Sequence, residues 1–166
     1  MINALFASDQ FGGIGFNGTL PWPHNSNDLK NFKSLTNGHI IVMGRRSWDD
    51  PKLPKPLPGR IAYVATNRPV EHAMPIKGDI PEEVKKLEKL YPNKTIWVVG
   101  GADILEQCKD LYDRIYLTHF KGNYRIDTRI NLKNFLGGFT ERYASSGKTC
   151  TFVRYEAIFR RPTTSP

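Results

Sequence analysis

One carboxylate stands out among the residues that could do chemistry. Asp28 follows Trp22 closely and lies four residues before Phe32, in a segment where apolar side chains recur at helical spacing. Residues i and i+4 share one face of a helix, so the acid would lie beside aromatic rings. Loss of hydration there would raise the pKa of the carboxyl and suit it to transferring a proton. The alternative is an acid near a helix N-terminus that only binds backbone amides.

Glycines and arginines form a second group, which could bind the phosphate groups of a ligand. The turn Gly44-Arg45-Arg46-Ser47 follows an apolar strand, and Gly100-Gly101 ends another strand before a helix. Backbone amides at such turns, together with guanidinium groups, bind phosphate well. If the strands are neighbours, the two arginines of the first turn would cluster with Arg68, as a nucleotide with an extra phosphate requires. The alternative for the arginines is that they only face solvent, and the alternative for Gly100-Gly101 is a plain tight turn. The glycine-rich segment 12–18 is either a loop that covers a ligand or a flexible surface loop.

The elements that must position these residues alternate between strands and helices. Apolar or alternating runs predict strands at 2–8, 39–43, 61–66, 95–99, 114–120 and 151–159, and helical spacing predicts helices at 26–36, at 81–91 and after Gly101. This order is typical of a three-layer α/β fold, with a central, mostly parallel mixed sheet of about eight strands flanked by helices and an antiparallel last strand. We predict a single domain over 1–160 and a loose tail at 161–166.

The composition limits the functional classes. The chain has 166 residues, two cysteines far apart and a net charge of +8. No apolar run is long enough for a membrane span, no secretory signal is predicted from the first residues, and the cysteine usage favours a reduced, cytoplasmic setting. The four histidines have no metal-ligand spacing, so no metal is predicted. Dispersed positive charge is compatible with a basic surface, with a pocket for polyanionic small molecules or, less well, with nucleic acid.

Several motifs together, in order and spacing, are more specific than any one of them. They are a glycine-rich loop at 13–22 that ends in Leu20-Pro21-Trp22, the following acid Asp28, Met43-Gly44-Arg45-Arg46-Ser47-Trp48, Pro56-Leu57-Pro58-Gly59-Arg60, the segment 97–102 with Gly100-Gly101, and the segment 116–119 with Leu117-Thr118. With these motifs the chain resembles the dihydrofolate reductase family along nearly its whole length. The resemblance implies an enzyme that reduces dihydrofolate to tetrahydrofolate with NADPH and so supports one-carbon and thymidylate metabolism.

The resemblance also implies roles for individual residues. Asp28 would favour protonation of the pterin at N5 while a hydride passes from the nicotinamide to C6. Trp22 would shape the pocket and hold an ordered water, and Thr118 would hydrogen-bond to Asp28. The implied substrate-binding residues are Leu5, Phe6, Asp28, Phe32, Lys33, Lys55, Leu57, Arg60, Val99 and Thr118, with Arg60 as the clamp on the glutamate α-carboxylate.

The implied cofactor-binding residues fall into three groups. Those over the nicotinamide are Ala7, Ile14, Gly15, Asn17, Gly18, Thr19 and Leu20; those at the adenosine phosphates are Gly44, Arg45, Arg46, Ser47, Thr66, Asn67 and Arg68; those at the pyrophosphate are Gly100, Gly101, Ala102, Asp103, Ile104 and Leu105. The family's Gly-Gly bond is cis, so a cis bond is expected between Gly100 and Gly101. The arginines favour NADPH over NADH, because the 2′-phosphate needs guanidinium donors.

Two positions depart from common members of the family, and two other functions stay open. Phe6 is bulkier than the small residue often found there, and Leu105 replaces a frequent tyrosine. One alternative is a related pterin or pyrimidine reductase of the same fold, which would need neither Asp28 nor Arg60. The other is a basic scaffold that binds nucleic acid. No obligate protein partner is predicted.

Overall fold

A computed structural model of the chain describes residues 1–162 and contains ten strands and five α-helices. The strands are β1 (Ile2–Asp9), β2 (Gly13–Gly15), β3 (Ile40–Gly44), β4 (Ile61–Ala65), β5 (Met74–Ile76), β6 (Ile96–Gly100), β7 (Arg114–Phe120), β8 (Thr128–Arg129), β9 (Phe139–Ser146) and β10 (Cys150–Ala157). The helices are α1 (Ser26–Thr36), α2 (Arg45–Trp48), α3 (Ile80–Leu90), α4 (Ala102–Gln107) and α5 (Leu132–Phe135), with a 3₁₀ turn at Lys109–Leu111.

Eight of the strands form one sheet in the order β5-β4-β3-β6-β1-β7-β10-β9. In this order, the six neighbouring strands β5, β4, β3, β6, β1 and β7 pair in parallel, whereas β10 is antiparallel to both of its neighbours. The predicted α/β class, the strand number and the antiparallel last strand are therefore confirmed. The parallel order also brings the carboxyl ends of β1, β3, β4 and β6 to one edge, where ligands bind in such sheets.

The core lies on both faces of this sheet, as the continuous apolar sequences of β3 and β6 predict. On one face, Ala4 and Phe6 of β1 pack with α3 and α4 side chains such as Val84 and Leu105. On the other, Trp48 of α2 and Leu57 pack on β3 and β4. Among the described residues no helix has the length and apolar character to cross a bilayer.

The structure differs from the sequence-based expectations at the periphery. The strands β5 and β9 and the short ribbon of β2 with β8 were not predicted, and the last strand ends at Ala157 rather than at residue 159. Arg161 was assigned to a loose tail, but its guanidinium binds the carboxylates of Glu88 and Asp113 at 2.9 Å. The other tail positions, from 163 onward, lie outside the described residues.

Candidate active site

Asp28 sits in the first turn of α1, but another residue caps that helix. The Oδ1 of Asn25 accepts a hydrogen bond from the Asp28 amide at 3.0 Å, so the Asp28 carboxylate is left for other partners. The Thr118 hydroxyl on β7 lies close enough to this carboxylate to influence its pKa. Burial raises the pKa of the Asp28 carboxyl above its ordinary value, and the Thr118 hydrogen bond offsets part of that rise. The structure thus brings together Asp28 and Thr118, which the resemblance paired.

Trp22 lies on the same face of β7 as Thr118, because its ring contacts Phe120, two residues farther along the strand. Its ring stacks on Phe120 with centroids 4.4 Å apart and meets the edge of Tyr124 at 5.8 Å. Ala7 of β1 packs against this aromatic cluster. The indole Nε1 of Trp22 is buried and has no acceptor among the described residues. A buried indole N–H usually has an acceptor, so this donor suits an ordered water or a ligand atom.

An apolar slot extends from Asp28 along α1. Phe32, Leu57 and Val99 belong to one packed cluster with Met43 and Trp48 on the α1 and α2 face of the sheet. Leu5 is buried on β1 and alternates with Phe6, so it faces the same side as Ala7. These side chains form a wall against which flat rings can pack.

Arg60 lies at the far end of this slot and is held in place by three contacts. Its Nε donates to the Pro58 carbonyl at 3.0 Å, and its Nη1 donates to the Thr36 hydroxyl at 3.3 Å. The guanidinium carbon lies 5.9 Å from the centroid of the Phe32 ring. Since a guanidinium has five N–H donors and a fixed planar shape, the fixed side chain still offers several donors to a carboxylate.

The turns before α2 and α4 differ from the N-termini of the other helices. Asn25, Asp79 and Asn131 cap α1, α3 and α5 through their side chains, whereas Gly44 and Gly101 supply no side-chain cap to α2 and α4. The first-turn amides of α2 and α4 therefore lack a side-chain acceptor. These turns approach each other closely, because a Cβ added to Gly44 would lie 3.7 Å from the Gly101 amide nitrogen. Both turns thus fit a ligand with phosphate oxygens.

The peptide bond between Gly100 and Gly101 is cis, as expected from the resemblance. Ser47 of α2 faces this bond, since a Cβ added to Gly101 would lie 3.5 Å from the Ser47 Oγ. Asp103 lies in the first turn of α4, where its carboxylate accepts a hydrogen bond from Gln107.

The arginines predicted to bind phosphate have different surroundings. Arg45 binds the Asp49 carboxylate through Nε at 2.9 Å and the Pro69 carbonyl through Nη1 at 3.0 Å, close to the Thr66 hydroxyl. Arg46 is exposed and extends toward the glycine-rich loop, with its Nε 3.6 Å from the position of a Cβ on Gly18. Asn67 and Arg68 are exposed after β4.

The side chains of three predicted site residues lie elsewhere than the resemblance implies. The Phe6 ring packs on Phe135 at 5.2 Å, on the face of the sheet away from Asp28, because its position alternates with Leu5. Leu105 has no exposed surface and lies in the same core, so its side chain cannot contact a cofactor. The Lys55 ammonium binds the Trp48 carbonyl at 2.7 Å and is thereby held against α2.

The glycine-rich loop is tethered by acids that sequence reasoning missed. The buried carboxylate of Asp9 accepts hydrogen bonds from the amides of Phe11 and Gly13 at 2.9 and 2.8 Å. Farther along the loop, the Asn17 amide donates to the Asp127 carboxylate at 2.9 Å. An acid just before a glycine turn is a known turn signal, so Asp9 could have been found. Nothing near Asp127 in the sequence indicates its distant partner.

The other predicted residues of this loop surround the tether. Ile14 and Gly15 lie in β2, which pairs with β8, and Ile14 also packs against the main core. Thr19 pairs with Phe16 in a tight bridge, and the side chain of Leu20 is exposed. Lys33 points into solvent from α1, whereas Ala102 and Ile104 pack into the core beneath Gly44.

Comparison with known proteins identifies the family. The family model described as dihydrofolate reductase matches residues 1–157. The chain belongs to the dihydrofolate reductase family. It is 34% identical to a dihydrofolate reductase of Staphylococcus aureus, over 76% of either chain, and 30% identical to a dihydrofolate reductase type 9 of Escherichia coli, over 81% of this chain and 78% of that protein.

The fold comparison agrees with this assignment. A dihydrofolate reductase from Enterococcus faecalis, solved in complex with NADP(H), has a TM-score of 0.80 and 22% identity, and the likeness covers 96% of this chain and 97% of that one. The predicted family and the predicted class of enzyme are confirmed. The roles of individual residues in this chain stay predictions, which the geometry above makes specific.

Proposed function

We propose that this enzyme reduces dihydrofolate to tetrahydrofolate with NADPH, and so supports one-carbon and thymidylate metabolism. One observation carries the assignment of the substrate site, namely the series Asp28, Phe32 and Thr36 along a single face of α1. Asp28 supplies the acid, the Phe32 ring lies under the guanidinium of Arg60, and the Thr36 hydroxyl accepts a hydrogen bond from Arg60. At 1.5 Å per residue these positions span about 12 Å. The series acid, ring, cation complements a pterin, a benzoyl ring and a glutamate carboxylate.

Asp28 is the group that manages the proton. Because burial raises the pKa of its carboxyl, Asp28 holds a proton at higher pH than an exposed aspartate does. Thr118 would fix the orientation of the carboxyl, and the free indole N–H of Trp22 would hold an ordered water between the acid and N5. NADPH, when bound, supplies the hydride to C6. The residues of the chain orient the pterin, exclude bulk water and deliver the proton.

The cofactor is held by the turns that lack side-chain caps. The amides of Gly44 to Ser47 and of Gly101 to Asp103 would bind the phosphate oxygens, with Ser47 between the two turns. Arg45, with Arg68 and the Thr66 hydroxyl nearby, would bind the 2′-phosphate and favour NADPH. We also propose a cytoplasmic location, since both cysteines are free and buried, as in a reducing compartment.

One absorbance assay, run on the wild type and on one variant, tests this proposal. The loss of nicotinamide absorbance with NADPH and dihydrofolate is followed for the wild type and for Asp28→Asn, at neutral and at acid pH. We expect the variant to lose most activity at neutral pH and less at acid pH, where dihydrofolate is already protonated. An equal loss at every pH would contradict the proton role. Wild type that does not turn over dihydrofolate, but reduces another pterin or a pyrimidine, would favour the related reductases of this fold.

A further inference from the structure

Behind α1, on the side away from the apolar slot, the sheet forms an open groove. Beyond α1 the strands β7, β10 and β9 continue the sheet, and β9 is exposed from Glu141 to Ser146. The groove has a volume of about 270 Å³ and is lined by Asn31 and Leu35 of α1, Tyr116, Phe152, Arg154 and Tyr143. None of these six residues belongs to the site proposed above.

The groove carries unbalanced positive charge. Arg154 lies opposite Tyr116 on one neighbouring strand and opposite Tyr143 on the other. Its Nε is buried and has no hydrogen-bond partner among the described residues. The nearest carboxylate, that of Glu156, is 3.6 Å away and is shared with Arg114 at 3.4 Å and Arg142 at 3.7 Å. Three guanidinium groups face one carboxylate, so an anion in the groove would gain attraction and satisfy a buried donor.

Aromatic rings supply the rest of the lining. The Tyr116 ring is fixed by edge-to-face contact with Trp97 at 5.0 Å, and Phe152 lies on the next strand at the level of Thr118. Flat rings stack well on aromatic side chains and on guanidinium planes. The small volume suits one ring or two fused rings and is below the range of larger ligand pockets, which begins near about 300 Å³.

We propose that this groove is a second ligand site, which binds a small aromatic carboxylate with its ring against Tyr116 and Phe152 and its carboxylate on Arg154. Thr118, the hydrogen-bond partner of Asp28, also borders the groove. Asn31 and Leu35 follow Asp28 by three and seven residues on α1. A bound ligand therefore touches both elements that position the acid, and it changes kcat more than the KM for dihydrofolate. This coupling, unlike the binding itself, rests on the proposed reductase function.

Binding is tested on enzyme saturated with NADPH and folate, so that both proposed sites are filled. The probe is indole-3-carboxylate, measured by calorimetry, with the uncharged indole-3-carboxamide as its neutral counterpart. Arg154→Leu removes the cation, and Asn31→Trp fills the groove while the charge remains. Arg160→Leu removes an exposed arginine elsewhere and is the matched control. We expect a loss of affinity of at least about tenfold in the first two variants and none in the control.

Each result decides the proposal. No binding of indole-3-carboxylate to the wild type at about 10 mM, the weak end of specific affinity, would overturn it. Equal binding of the neutral amide, or binding that survives both Arg154→Leu and Asn31→Trp, would also overturn it. Binding of adenosine monophosphate but not of the indole acid would replace the proposed occupant with a nucleotide. If Arg154→Leu does not fold, Asn31→Trp carries the test alone. A chain inactive on dihydrofolate that still binds the probe would overturn only the proposed function.

Discussion

Replacing Arg60 by leucine is expected to weaken the binding of dihydrofolate through its glutamate tail and to leave the affinity for the pterin ring unchanged. In the structure two of the five N–H donors of Arg60 are used by Pro58 and Thr36, which leaves three to bind the substrate carboxylate. Leucine keeps the apolar contact with the Phe32 ring but supplies no donor. The substitution therefore removes the charge-assisted pair and preserves most of the packing.

The size of the effect follows from the surroundings of Arg60. The side chain is partly buried, and burial lowers the pKa of its guanidinium, which nevertheless stays charged at any working pH. Truncating one partner of a hydrogen-bonded charge pair costs about 2–5 kcal/mol when the pair is buried. For this partly buried group we expect about 2–4 kcal/mol, which is roughly a 30- to 1000-fold rise in Kd.

The assay compares two ligands in one titration format. Quenching of tryptophan fluorescence gives the Kd for folate and for a pterin that lacks the benzoylglutamate tail, with wild type, Arg60→Leu and the control Arg160→Leu. The tail-less pterin should bind all three proteins alike. Thr36→Val, which removes only the hydroxyl that holds Arg60, should cost folate about 0.5–1.5 kcal/mol. If folate and the tail-less pterin lose affinity equally in Arg60→Leu, the clamp is wrongly assigned.

Three further predictions concern the acid, the loop and the cofactor. Burial raises the pKa of Asp28 in the folded chain, so between the ordinary and the raised pKa the folded chain binds more protons than the unfolded chain, and the free energy of unfolding falls as pH rises through that window. Asp28→Asn should lack this loss and be more stable than wild type at neutral pH; urea unfolding that ranks the variant below wild type there would contradict the prediction. Gly12→Ala places a Cβ against the Ile130 carbonyl oxygen at positive φ and should cost more than about 2 kcal/mol, whereas Gly78→Ala, at similar φ with open space around it, should cost about 1 kcal/mol. Equal melting temperatures of the two variants would refute the steric reason. Arg45→Ala should raise the KM for NADPH about tenfold and leave that for NADH nearly unchanged, and an unaltered NADPH-to-NADH ratio would remove Arg45 from the 2′-phosphate site.

Local sequence signals were sufficient where a segment's own residues determine its structure. The bounds of α1 and β7 agree with prediction, because Asn25 supplies a capping oxygen and most of 114–120 alternates buried and partly buried side chains. The strand β9 could not be predicted in this way. Most of its residues are exposed, so it has no apolar period, and it is a strand because its backbone pairs with β10.

The candidate site was predictable residue by residue only where the resemblance agreed with the strand period. Leu5 and Phe6 are neighbours, and their alternation alone puts them on opposite faces of β1, so both side chains cannot line one pocket. Lys55 has the charge for a substrate carboxylate, but its reach to the Trp48 carbonyl depends on the fold of the loop. The link between Asn17 and Asp127 joins positions 110 residues apart, which no local pattern indicates.

The two tethers of the glycine-rich loop should differ in how often they open. The Asp9 carboxylate that binds the Gly13 amide is buried, so releasing it exposes an unpaired charge to the core, whereas the Asp127 carboxylate that binds Asn17 is fully exposed and water can replace its partner at once. In native-state hydrogen exchange, the Asn17 amide should therefore exchange through small local fluctuations, and the Gly13 amide only through openings that disrupt β1. The loop would then move as a flap. Its Asp9–Gly13 end would stay fixed for as long as the protein is folded, and its Asn17–Asp127 contact would open and close many times within that lifetime.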